Sequence, residues 1–98
     1  MHLPGKAELM PLTYQATRDK TMLLIRQDLK DFLKEVKDRR ERMSMTQDDM
    51  ADKLSCTQTT ISYAETERRE PSLEFLARMG EAVGLEVRLT YKRKKSGQ

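Results

Sequence analysis

The stretch MTQDDMADKLSCTQTTISYAET, residues 45–66, decides the fold of this chain. Thr46 followed by Asp49 forms the Ser/Thr-x-x-acid pair that is typical of a helix N-cap. The apolar face of the helix that follows consists of Met50, Ala51 and Leu54. The pattern predicts a short helix that ends near Ser55.

A second helix is predicted directly after this turn, with Thr57 as its N-cap. Ile61 and Ala64 are spaced to face inward along this helix. The residues predicted to face outward are Gln58, Thr59, Ser62 and Tyr63. Two short helices joined by a tight turn, with small polar residues opening the second, allow a helix N-terminus to enter the DNA major groove.

A long helix is predicted before this pair. Apolar residues recur at i, i+4, i+7, i+8 and i+11, which is a helical period. They are Ile25, Leu29, Phe32, Leu33 and Val36, and the helix is expected to run to about Arg42. Residues 1–17 mix proline, glycine and isolated apolar residues without a period. We therefore interpret them as an N-terminal arm that need not be ordered.

A fourth helix is predicted after the polar loop of residues 66–70. Pro71 closes that loop and Ser72 is the N-cap. The buried side of this helix is predicted to consist of Leu73, Leu76, Ala77 and Val83. Gly84 is placed where a C′ glycine ends a helix. Residues 18–84 are thus predicted to form one helical domain.

A strand is predicted over residues 85–91, where apolar and polar residues alternate strictly. Its apolar face consists of Leu85, Val87, Leu89 and Tyr91. No other stretch shows a strand pattern, so we expect this strand to pair antiparallel with its copy in a second subunit. Residues 92–98 are interpreted as a basic tail.

Composition argues against most other classes of protein. Cys56 is the only cysteine and His2 the only histidine, so no disulfide within the chain and no soft-ligand metal site can form. No nucleophile and base pair and no phosphate-binding glycine loop are present, and we expect neither an enzyme nor a cofactor. No apolar run approaches the roughly 20 residues of a membrane span, and the N-terminus shows no signal peptide pattern. We expect a cytoplasmic protein.

The net charge of +3 is unevenly distributed. Up to residue 43 there are ten Lys or Arg against seven Asp or Glu, from 44 to 84 four against eight, and from 85 onward five against one. The three segments therefore carry +3, −4 and +4. The two basic ends favour a polyanionic partner, while the middle must present its positive groups locally.

Three blocks in order carry a resemblance to a known family. They are Met45-Thr46-Gln47-x-x-Met50-Ala51-x-x-Leu54, Thr57-Gln58-Thr59-Thr60-Ile61-Ser62-x-x-Glu65, and Arg69-x-Pro71-Ser72-Leu73-x-x-Leu76. With this spacing, residues 28–85 strongly resemble the XRE/Cro-like helix-turn-helix regulators. The resemblance implies a mainly α, lambda-repressor-like bundle of four to five helices that binds double-stranded DNA, followed here by the C-terminal strand.

The resemblance also implies site residues. Base contacts are expected from Gln58, Thr59, Ser62 and Tyr63. Phosphate contacts are expected from Thr46, Gln47, Thr57, Arg68 and Arg69. Glu65 is expected to be a structural ion-pair or cap partner. The alternative for all of these polar residues is that they form an ordinary solvated helix surface. Two family glycines are replaced, one at Ser55 in the inter-helix turn and one around Glu67 in the following loop.

The sequence leaves several functions open. The ending of helix, glycine and alternating strand resembles HipB- and HigA-type antitoxins, which implies a homodimer on an inverted repeat, autoregulation and a cognate toxin as partner. The alternatives are a phage or plasmid repressor without a toxin, and a protein-interaction adaptor that does not bind DNA.

Overall fold

The computed structural model describes residues 8–16 and 22–93, which contain four helices and three strands. In chain order these elements are β1 (Glu8–Ala16), β2 (Met22–Leu24), α1 (Arg26–Arg42), α2 (Gln47–Leu54), α3 (Gln58–Glu65), α4 (Leu73–Ala82) and β3 (Leu85–Arg93). The strands form one sheet in the order β2-β1-β3. The predicted helical bundle and C-terminal strand are therefore present, and the sheet extends them.

The apolar stripe of α1 faces the core as predicted. Its Leu29, Phe32, Leu33 and Val36 are buried, while Ile25 is the half-buried N-cap. The other helices contribute Met50, Ala51, Leu54, Ile61, Ala64, Leu76 and Met79 to the same core. One contiguous apolar cluster thus holds the four helices and the sheet together.

Local signals begin and end the helices where the sequence places them. Thr46 and Asp49 form a complete capping box, in which the Asp49 backbone N–H donates to Thr46 Oγ1 and the Thr46 N–H donates to the Asp49 carboxylate, both at 2.9 Å. These hydrogen bonds hold the pKa of Asp49 below its usual value. Thr57 and Ser72 cap α3 and α4, and Gly84 follows α4 with a φ of 82°.

The interpretation of residues 1–17 as an arm is wrong for residues 8–16, which form β1. Along β1, Leu12 is fully buried, with Met10 and Tyr14 half-buried on the same face. This strand was not predicted because Pro11, which lacks a backbone N–H donor, interrupts the strand pattern of the sequence. Within the described residues β2 pairs with β1 only from Tyr14 onward, so Pro11 has one edge without a neighbouring strand and is tolerated there.

The expectation that β3 lacks a partner in its own chain is also wrong. β3 pairs in parallel with β1 over their whole lengths, from Glu8 beside Leu85 to Ala16 beside Arg93. Two parallel strands need a long connection between them, and here that connection contains all four helices. No local sequence pattern therefore predicts the pairing. The second edge of β3 pairs with no strand in the part of the chain that the structure describes.

The apolar face predicted for β3 is only partly covered. Leu85 is buried and Val87 half-buried against the core of the same chain, whereas Leu89 is 57% exposed. The strand runs to Arg93, past the predicted end at Tyr91 and into the predicted tail. Residues 94–98 of that tail, like residues 1–7 and 17–21, lie outside the described residues.

Hydrogen bonds and ion pairs join the sheet to α1. The backbone N–H of Ile25 donates to the Thr13 carbonyl at 2.7 Å, and the Thr13 N–H donates to the Asp28 carboxylate at 3.0 Å. At the other end of α1, the Arg39 guanidinium contacts Glu8 at 2.5 Å and donates to the Val83 carbonyl at 3.4 Å. The sheet is therefore attached to the helical bundle at both ends of α1.

Two leucines on opposite faces of β1 test this packing. Replacing the fully buried Leu12 by alanine should lower the free energy of unfolding by about 2 to 5 kcal/mol, because the change leaves a cavity in the core. Leu9→Ala is the matched control, since Leu9 is 49% exposed. This substitution should change the free energy of unfolding by less than about 0.5 kcal/mol. Urea unfolding monitored by circular dichroism measures both, and equal effects would mean that β1 is not packed as described.

Candidate nucleic-acid interface

The turn between α2 and α3 brings the two short helices together. Ser55 caps α2 in the left-handed conformation, with φ 56° and ψ 47°, where the family pattern has glycine. Ser55 thus adopts the backbone conformation that a glycine at this turn would adopt without strain. Cys56 follows it and packs half-buried against the core, and burial raises the pKa of its thiol.

The faces of α3 divide as the sequence predicts. Ile61 and Ala64 are buried beneath the helix. Gln58 and Thr59 are exposed, while Ser62 and Tyr63 are half-buried. Thr60, which was not among the predicted contacts, is exposed beside them. The N-terminal half of α3 thus presents a continuous polar surface.

A chain of hydrogen bonds runs from this surface into the protein. The Gln58 side-chain amide donates to Gln47 Oε1, and the Gln47 amide donates to Glu65 Oε1 at 3.0 Å. Gln47 is the first residue of α2, and Gln58 is the first residue of α3. The first residues of the two helices are therefore joined through their side chains.

The chain of hydrogen bonds ends on a buried ion pair. Arg40 donates from Nε and Nη2 to the two carboxylate oxygens of Glu65, at 2.7 and 3.1 Å, in a bidentate arrangement. The Arg40 side chain is 7% exposed and that of Glu65 is 2% exposed. A third bond, from Arg40 Nη1 to the Met45 carbonyl, is 2.8 Å long. The structural ion-pair role predicted for Glu65 is confirmed.

Arg40 itself was missed, although the sequence carried a signal. It lies four residues after Val36 and continues the apolar stripe of α1 by one turn. A charged residue on a buried face needs a buried partner, because an unpaired charge inside a protein is costly.

The loop after α3 carries the predicted basic residues. Arg68 and Arg69 are exposed, and their guanidinium carbons lie 5.8 and 6.0 Å from the centre of the Tyr63 ring. Glu67, at the second replaced glycine, is left-handed with φ 58°. Between this loop, α3 and the start of α4 lies a cleft of about 500 Å³, whose lining includes Thr59, Tyr63, Arg69 and Phe75.

The remaining predicted phosphate contacts lie at the two helix starts. Thr46 and Thr57 are exposed N-caps, and their hydroxyl oxygens accept from backbone N–H groups. Gln47 lies beside Thr46 and is half-buried. All predicted base and phosphate contacts therefore lie on α3, at the two helix N-termini or on the following loop.

Residues 36–89, just over half of the chain, match the family model described as Helix-turn-helix. The chain belongs to the XRE-type helix-turn-helix family. This DNA-binding domain makes the protein a transcription regulator of the XRE type, with double-stranded DNA as its partner. No curated protein and no solved structure shows a significant match. No helix among the described residues of this XRE-type regulator is long and apolar enough to cross a membrane.

The buried ion pair yields a stability prediction. Glu65→Gln removes one charge and leaves the Arg40 guanidinium buried without a counterion, which should lower the free energy of unfolding by about 3 kcal/mol. Glu35→Gln is the control, because Glu35 pairs with Arg39 at 2.8 Å but is 34% exposed, and should cost less than about 1 kcal/mol. Urea denaturation measures both free energies of unfolding. A Glu65→Gln protein as stable as the control would contradict the buried ion pair between Arg40 and Glu65.

Proposed function

We propose that the protein is a sequence-specific repressor that places the first half of α3 in the major groove of its operator. The observation that carries this proposal is the exposed polar surface of Gln58 and Thr59 above the buried Ile61 and Ala64. The major groove is wide enough to admit one helix, and short polar side chains near its N-terminus reach base edges.

Gln58 is the main base-reading residue in this proposal. Its amide nitrogen carries two N–H groups, of which one donates to Gln47, so the other N–H and the oxygen remain for a base. Such an amide pairs with N7 and N6 of adenine. The contact with Gln47 favours one orientation of the side chain, which supports a specific contact. Thr59, Ser62 and Tyr63 complete the base-reading set, with Thr59 the most suited to a thymine methyl group.

Thr46, Gln47 and Thr57 would contact phosphates from the N-termini of α2 and α3. Helix N-termini present free N–H groups and a partial positive charge to an anion. Arg68 and Arg69 would contact phosphates from the exposed loop. Such contacts set the register of the protein on DNA and carry no sequence information.

The two sets of residues should fail differently when they are substituted. Gln58→Ala should reduce the preference for one base pair by about 1 to 3 kcal/mol, because a bidentate contact is lost. Arg69→Ala should weaken binding to all sequences and reduce the salt slope by about one. Affinities measured over a panel of operator variants at several salt concentrations separate the two effects. If the Gln58→Ala protein keeps the same preferences among the operator variants, the proposed position of α3 in the major groove is wrong.

We further propose that the regulator binds as a homodimer on an inverted repeat, with the β3 strands of two copies paired antiparallel. The support is the unpaired second edge of β3 in the described residues and the exposed Leu89 on it. The pairing would join two three-stranded sheets into one sheet of six strands. One short helix makes few contacts, and two half-sites bound together supply the affinity that one lacks.

Leu89→Lys should disrupt this dimer, because it would place like charges near one another across the two-fold axis. Operator affinity should fall with it. Leu9→Lys is the matched control, since Leu9 is similarly exposed but lies on β1, which is separated from the proposed interface by β3. Sedimentation velocity gives the oligomeric state, and a Leu89→Lys protein that remains dimeric would exclude the β3 edge as the interface.

We also propose that the regulator is the autoregulatory antitoxin of a toxin–antitoxin pair. The support is the order of α4, Gly84 and β3, which resembles HipB- and HigA-type antitoxins. Co-expression with the product of the adjacent gene should give a stable complex and relieve growth inhibition by that product. Operator binding without such a complex would favour a phage or plasmid repressor, and failure to bind any DNA would favour an adaptor.

A further inference from the structure

The loop that carries the two proposed phosphate-binding arginines also carries two carboxylates. Its sequence is Glu67-Arg68-Arg69-Glu70, so these four residues have no net charge. Free carboxylates beside the arginines would attract the guanidinium groups and repel DNA phosphates. Binding of phosphate by this loop is therefore favoured when another cation draws the two carboxylates away from the arginines.

Arg26 is the cation that meets both carboxylates. It is the first residue of α1, and its Nη1 lies 3.7 Å from Glu67 Oε1 while its Nη2 lies 3.7 Å from Glu70 Oε1. Among the described residues neither Arg68 nor Arg69 forms an ion pair, and both lie over the Tyr63 ring instead. The carboxylates of Glu67 and Glu70 are thus directed toward α1. They do not form ion pairs with Arg68 or Arg69 in the described part of the chain.

The backbone and the sheet support this division. Glu67 adopts a left-handed conformation in which a side chain is unfavourable, yet its carboxylate is brought to Arg26 and is 28% exposed. Burial, and after it the charge of Glu70, raises the pKa of the Tyr14 hydroxyl on β1. Arg26 precedes the matched residues 36–89, so both ion pairs are made by a residue outside the family match.

We propose that Arg26 is a positioning residue for DNA binding, which holds Glu67 and Glu70 against α1 and so leaves Arg68 and Arg69 available to phosphates. The proposal rests on the phosphate-binding role proposed above for the two loop arginines. Arg26 acts on DNA only through the two carboxylates, and this separates it from an ordinary basic residue at the interface.

A double-mutant cycle tests this mechanism. Arg26→Gln alone should weaken operator binding about fivefold, since two exposed ion pairs are lost and their carboxylates face the DNA. In a protein that already carries Glu67→Gln and Glu70→Gln, the same Arg26→Gln change should alter the affinity by less than about 1.5-fold, because no carboxylate remains to be held. Fluorescence anisotropy with a labelled operator at fixed salt gives all four affinities.

Lys30→Gln is the control for loss of one positive charge on α1, since Lys30 is exposed and lies one turn after Arg26. It should change the affinity by less than about 1.5-fold. If Arg26→Gln weakens binding equally in both backgrounds, Arg26 contacts DNA itself and the proposal is wrong. No loss in the wild-type background also overturns it.

Failure of the underlying function is distinguishable from these results. If Arg68→Gln and Arg69→Gln leave the affinity unchanged, the loop does not bind phosphate at all. Should Arg26→Gln fail to fold, as judged by thermal melting, the Glu67→Gln/Glu70→Gln protein decides alone. With Arg26 intact, this double variant should bind the operator at least as tightly as wild type. Weaker binding would show that the two carboxylates themselves contribute to DNA binding, which would contradict the proposal.

Discussion

The buried ion pair between Arg40 and Glu65 is the contact on which the DNA-binding half of the molecule depends. Its guanidinium also binds the Met45 carbonyl and its carboxylate binds Gln47, so one pair joins α1, the following turn, α2 and α3. Apolar contacts are not directional, whereas a bidentate pair accepts only a narrow range of positions. The pair therefore sets the orientation of α3 against α1, and through Gln47 it also supports the side chain of Gln58.

The N-terminal part of the chain completes the folding unit. The family match begins at Val36, in the middle of α1, yet Leu12, Leu29 and Phe32 before it are fully buried in the same core. Domains of about 60 residues or fewer bury a smaller fraction of their surface than larger domains do, and they are marginally stable. The first half of α1 and β1 add the apolar surface that the matched residues lack. Sequence outside the family match is thus part of the DNA-binding domain.

Features with a local cause could be predicted from the sequence, and features with a distant cause could not. The caps at Thr46 and Ser72 need only residues three positions apart, and the outward face of α3 followed from the spacing of Ile61. β1 was missed because Pro11 obscures its local pattern and because its partner strand is remote, as in the Thr13–Thr90 hydroxyl contact across 77 residues. Within the candidate site, the bond from Gln58 to Gln47 depends on the angle between α2 and α3, which no local pattern encodes.

Two neighbouring residues of α1 connect the sheet with α3, the helix proposed to face DNA. Arg39 binds Glu8 and the Val83 carbonyl at one end of the sheet, and Arg40 binds Glu65 at the end of α3. Because both arginines lie on one continuous helix, a displacement of the sheet would carry α3 with it instead of being absorbed in a loop. In the proposed dimer, the paired sheets would then determine the separation of the two α3 helices. In such a dimer, a protein that binds the sheet would alter operator affinity without contacting any of the residues proposed to face DNA.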